Sequence, residues 1–121
     1  MENANDKTTI GLTNDNKVIL ERIKEKNYFK DEMDIAKFAM SYAILFGEDE
    51  VYTASGYGTK WNVGTFDNGN QLRALLSILM PENNEPYRQI EELSNKGLFL
   101  IGKHIEKNND LFLEEILNIR S

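Results

Sequence analysis

The stretch DIAKFAMSYAILF, residues 34–46, constrains the fold more than any other part of the chain. Read at helical spacing, Ile35, Phe38, Ala39, Tyr42, Ala43 and Phe46 form one apolar face, and Ala36, Met40 and Ile44 form another. Only Asp34, Lys37 and Ser41 are left as a thin polar line. A helix that is apolar nearly all round is buried on most sides. In a chain of 121 residues this predicts a helix over 33–46 that a second copy of the chain helps to cover.

The residues before it predict a strand and a surface helix. In KTTIGLT, Thr8, Ile10 and Leu12 alternate with Lys7, Thr9, Gly11 and Thr13, the period of a half-buried strand. Asn14 or Asp15 offers a side-chain oxygen to cap a helix running to about Lys26. Ile19, Leu20 and Ile23 make its narrow apolar stripe among charged neighbours, and Asp31 is placed to cap the next helix.

The remainder is punctuated by glycine and proline. Residues 47–66 show no helical period, and the glycines at 47, 56, 58 and 64 mark turns, so a long loop is expected there. Asp67 reads as a cap, and Leu72, Leu75, Leu76 and Leu79 form a stripe that Pro81 ends. Pro86 suits the first turn of a further helix bearing Tyr87, Ile90, Leu93, Leu98, Ile101 and Ile105, with small residues Ser94, Gly97 and Gly102 where another helix can approach. NKG at 95–97 leaves open a break in that helix. A last short helix is expected over about 110–119, carrying Phe112, Leu113, Ile116 and Leu117.

The expected fold is therefore mainly α: a ribbon-helix-helix-like unit of one short strand and two helices over 7–47, a long loop over 48–66, and two to three C-terminal helices over 67–121. Residues 1–6 read as a flexible polar N-terminus, and 7–121 as a single domain. An apolar fraction of 40 % supports one core.

Charge and chemistry narrow the function. Twenty acids against fourteen bases give a net charge of −6 and a pI near 4.8, which argues against indiscriminate binding to nucleic acid or anionic membrane. The chain has no cysteine, hence no disulfide, thiol nucleophile or cysteine zinc site. Without a leader or a spanning apolar run, the expected location is the cytoplasm and no membrane partner is expected.

His104, the one histidine, has no second histidine or cysteine with which to share a metal, and GEDE at 47–50 lacks the calcium-loop pattern. GYGTK at 56–60 lacks P-loop spacing, and WNVGTF after it reads as extended. Ser41, Ser55, Ser77 and Ser94 have no nearby histidine base. No catalytic residue, metal or cofactor is expected, and an enzyme is the weaker class.

The strand carries more weight, because two antiparallel copies can form a ribbon of a width the DNA major groove admits. Lys7, Thr9 and Thr13 would then face the bases, with Lys30 and Lys60 as further candidate DNA contacts. A ribbon used only to dimerise fits the same residues. KDEMD at 30–34 sets Asp31, Glu32 and Asp34 where the helix N-terminus would otherwise attract a phosphate.

This order of elements resembles the E component, DndE, of bacterial DNA phosphorothioation systems. The likeness runs through IGLTNDNKVILERIKEK, DIAKFAMSYAILFGEDE, TKWNVGTF before NQLRALLSIL, YRQIEELSNKGLFLIGKHI and DLFLEEIL, covering most of residues 8–117. It lies in element order and apolar pattern, without a signature motif. The resemblance implies a small, helical, oligomeric, non-enzymatic protein that partners the sulfur-modification machinery and is linked to double-stranded DNA and phage defence. The chain departs from that family by being acidic along the first helix and turn, at Asp15, Glu21, Glu25, Asp31, Glu32 and Asp34. The alternative is an acidic protein–protein adaptor or DNA mimic that binds a basic partner without binding DNA.

Overall fold

The computed structural model describes residues 6–47, 52 and 56–108, with side chains as far as Ile105. In chain order the elements are β1 (Thr9–Leu12), α1 (Asn14–Lys24), α2 (Glu32–Phe46), β2 (Gly58–Asn62), α3 (Val63–Phe66), α4 (Gln71–Leu79) and α5 (Pro86–Asn108). The mainly helical architecture, with a strand and two helices leading, is the one the sequence predicts. The last expected helix, about 110–119, and the acids of GEDE at 48–50 lie outside the described residues.

Short side chains set the start and stop of the first two helices. Thr13, in extended conformation, caps α1 by accepting from the Asn16 amide at 3.1 Å. The cap thus sits one residue before the expected Asn14 or Asp15, because Asn14 is already helical and the Thr13 hydroxyl reaches the third amide beyond it. Asn27, in the left-handed region at φ 62°, ends the α1 turn, its amide donating to the Lys24 carbonyl. Asp31 caps α2 as expected, accepting from the Asp34 amide at 2.9 Å.

The apolar character of α2 is met largely within the chain. Ile35, Ala39 and Tyr42 join one core cluster with Leu12, Leu20, Ile23, Leu98 and Ile101. Ala36, Met40 and Ala43 join a second with Ile10, Phe66, Leu76, Tyr87 and Ile90. The helix is therefore a wedge between two half-cores, and α5 runs alongside it facing both. Burying each of the larger side chains contributes roughly 1.5–3 kcal/mol. Only the last turn of α2 stays open, with Leu45 and Phe46 exposed. The exposed large apolar side chains of α2 are thus confined to that turn.

The close approach of α2 and α5 depends on Gly97. A Cβ there would fall on the Ala39 carbonyl, so no other residue fits without moving a helix. NKG at 95–97 consequently marks a helix crossing, and α5 continues unbroken through it.

The segment expected as loop contains β2, which pairs antiparallel with β1 in the same chain. The register runs Thr9 to Asn62, Ile10 to Trp61, Gly11 to Thr59 and Leu12 to Gly58, with a shift between Ile10 and Gly11 that leaves Lys60 as the extra residue of a bulge. Trp61 and Asn62 bear out the extended reading of WNVGTF, but glycines and the lack of alternation hide the strand's start at Gly58, which its pairing with β1 defines. Residues 63–66, which read as extended, form the short α3.

A carboxylate anchors α4. Asp67, nearly fully buried, accepts from the Leu72 and Arg73 amides at 2.8 and 3.0 Å, and the Tyr87 hydroxyl of α5 lies 3.0 Å from the same carboxylate. Of the α4 leucines, Leu76 is buried, while Leu75 and Leu79 with Ile78 face outward.

Candidate nucleic-acid interface

β1 carries the surface on which a DNA ribbon would be built, and both of its edges are engaged. One edge holds β2. At the other, the Gly11 amide donates to Glu91 Oε2 at 2.9 Å, and the Gly11 carbonyl accepts from Asn95 Nδ2 at 3.0 Å. The Thr13 amide donates to Asn95 Oδ1 at 3.1 Å. Two α5 side chains thus occupy backbone groups that a second β1 would need. Within the chain, β1 thus pairs with β2 on one side and is bonded by α5 side chains at Gly11 and Thr13 on the other.

Glu91 and Asn95 belong to a buried polar network. Lys7 Nζ stands 3.0 Å from Glu91 Oε2, with the carboxylate side chain only 2 % exposed. Asn16 Nδ2 lies 2.9 Å from Asn95 Oδ1, 3.1 Å from the Asn95 carbonyl and 3.1 Å from the Tyr52 hydroxyl. Asn95 Nδ2 also donates to the Glu91 carbonyl at 2.8 Å. Burial, followed by the charges of Glu91 and Glu92, pushes the Tyr57 hydroxyl up to about 12. Sequence reasoning passed over Glu91, Asn95 and Asn16. The available signal was two polar residues at 91 and 95 inside the apolar spacing of Tyr87, Leu98 and Ile101.

Of the five candidate DNA contacts, three have structural partners. Lys7 pairs with Glu91, and its ammonium lies 6.0 Å from the Tyr57 ring centroid. Thr13 is spent on the α1 cap. Lys60, the extra residue of the bulge, pairs with Glu32 Oε1 at 2.9 Å and lies over the Trp61 ring. Thr9 is half-buried in β1, and Lys30 is exposed in the turn before α2. The basic side chains do not converge: Lys7 belongs to the α5 network, whereas Lys60 meets Lys24 on the Glu32 carboxylate, which Lys24 holds at 3.3 Å. The Lys60 hydrogen bond is the largest influence on Glu32 and, with help from Lys24 and against partial burial, holds its carboxyl below the usual range.

The acidic turn between α1 and α2 is similarly occupied, Asp31 by its cap and Glu32 by two lysines. Across 6–47 and 56–105, twelve acids face twelve bases. The entire surplus of six acids therefore falls in the flanking stretches, among them Glu48, Asp49 and Glu50 directly after α2 and Glu114 and Glu115 beyond α5.

Among the described residues no three His, Cys, Asp or Glu side chains come together as a metal site. His104 stands edge-on to Tyr42, with ring centroids 6.4 Å apart. Ser94 Oγ is buried without a hydrogen-bond partner among the described residues. No described helix is long and apolar enough to cross a membrane. Models of protein families, curated proteins and solved structures yield no match to the chain.

Proposed function

We propose that the chain is a non-enzymatic accessory protein that acts by holding a basic protein partner, in a cytoplasmic DNA-modification or phage-defence system of the kind the DndE resemblance implies. The observation that carries this reading is the closure of β1. With Gly11 bonded to Glu91 and Asn95, and Lys7 and Lys60 paired with carboxylates, the strand offers little that a DNA groove would recognise.

The docking elements in this reading are the acidic stretches that in sequence lie beyond the charge-balanced residues 6–47 and 56–105, namely Glu48 to Glu50 and the acids after 105. Acid concentrated at a few points steers a basic partner and sets a salt-sensitive association. DNA contact through Lys7, Thr9, Thr13, Lys30 and Lys60 is the second reading, favoured by the exposed position of Lys30 alone.

Co-production with the other proteins of a phosphorothioation system, followed by size-exclusion chromatography at rising salt, tests the proposal. A complex that salt dissolves, and that Glu48→Gln with Asp49→Asn and Glu50→Gln weakens, is expected. A complex unaffected by all three changes and by salt would remove it.

A further inference from the structure

We propose that α1 is the contact face of a symmetric homodimer, in which α1 of one copy lies antiparallel on α1 of the other. The face is a groove of about 340 Å³ between α1 and α5, lined by the apolar Val18, Ile19 and Phe99 and by the charged Asp15, Arg22 and Lys103, the last of which lies over the Phe99 ring on α5. Val18 is 69 % exposed and Phe99 36 %, so the groove leaves apolar surface in water.

Charge identifies the occupant. Asp15, Val18, Ile19 and Arg22 follow one another at spacings of three, one and three residues, which places all four on one side of α1. The acid stands at one end and the base at the other, about 10 Å apart at 1.5 Å per residue. Neither joins a salt bridge among the described residues.

A stripe with opposite charges at its two ends is complementary to itself when reversed. A two-fold axis between Val18 and Ile19 sets Asp15 against the partner's Arg22 and Arg22 against the partner's Asp15, with the exposed Val18 buried over the partner's groove. Closed two-fold pairing of this kind needs one patch to match itself, which this patch does. A helix of eleven residues supplies less than the roughly 800 Å² per partner of a standard interface, so association on the order of micromolar is expected.

This dimer uses neither the β1 ribbon nor the acidic stretches of the proposed function. The mass of the isolated protein tests it, whereas partner retention tests the other.

Sedimentation equilibrium of the full chain across the micromolar range gives the decisive comparison, with a thermal melt of each variant to establish folding. The parent is expected to dimerise, and Asp15→Arg and Arg22→Asp each to sediment as monomers, since like charges then meet twice. Mixing the two single variants is expected to restore the dimer, because one copy carries only bases at these positions and the other only acids. The double variant is expected to dimerise with itself, and Val18→Asp to remain monomeric. A parent that is monomeric throughout, single variants that dimerise as well as the parent, or a mixture that stays monomeric would each overturn the proposal.

Discussion

The carboxylate of Glu91 accepts the Gly11 amide hydrogen at 2.9 Å while holding the Lys7 ammonium at 3.0 Å. One buried side chain on α5 thereby ties down both the β1 edge and Lys7, one of the candidate DNA contacts.

Replacing Glu91 tests that double duty. Glu91→Ala leaves a buried amide without an acceptor and a half-buried ammonium without its counter-charge, and is expected to cost about 2–4 kcal/mol. Glu91→Gln keeps an acceptor and is expected to cost less than half of that. Urea denaturation of the two variants measures both.

The helix crossing at Gly97 gives a sharper contrast. Gly97→Ala drives a methyl group into the Ala39 carbonyl and is expected to cost about 3 kcal/mol or to prevent folding. Gly64→Ala in α3 meets nothing within 4 Å and is expected to stabilise by about 0.5–1 kcal/mol. Melting temperatures moving in opposite directions would confirm the pair.

Ser94 is expected to be better as alanine. Its buried hydroxyl has no hydrogen-bond partner among the described residues, so Ser94→Ala should stabilise by about 1 kcal/mol in the same denaturation assay. A loss of stability would show that the hydroxyl has a partner in solution.

Alkaline pH should weaken the fold through two tyrosines. Burial first, then Glu91 for Tyr57 and the Asp67 hydrogen bond for Tyr87, push both hydroxyls from 10.0 up to about 12. The folded protein then holds these protons when the unfolded chain has begun to lose them. Their contribution is intact below about pH 10 and is lost between about 10 and 12. Tyr87→Phe is expected to flatten part of that loss, as read from melts at increasing pH.

How much of this was legible in the sequence differs by element. The α2 helix could be read because its apolar residues recur at helical spacing, and its Asp31 cap follows from one side chain. The covering of α2 by α5 could not, because nothing local says that Gly97 meets Ala39, and a partner chain explains the same apolar surface. β2 was legible only in part: WNVGTF reads as extended, which holds for Trp61 and Asn62, but the strand's start at Gly58 and its pairing show only once β1 lies beside it. At the candidate interface the bases could be read but their partners could not. Lys7 and Glu91 are far apart in the chain, as are Lys60 and Glu32, and tertiary structure alone brings each pair together.

The most direct test of the central claim, that β1 is closed to DNA, is a fluorescence-anisotropy titration of the intact protein with labelled duplex DNA at low and at near-physiological salt. The closed strand and paired lysines predict no binding near physiological salt and at most weak binding at low salt, unchanged by Lys7→Glu or Lys60→Glu. Tight, salt-sensitive binding that either substitution abolishes would contradict it, and would mean that these lysines leave their carboxylates to meet phosphate.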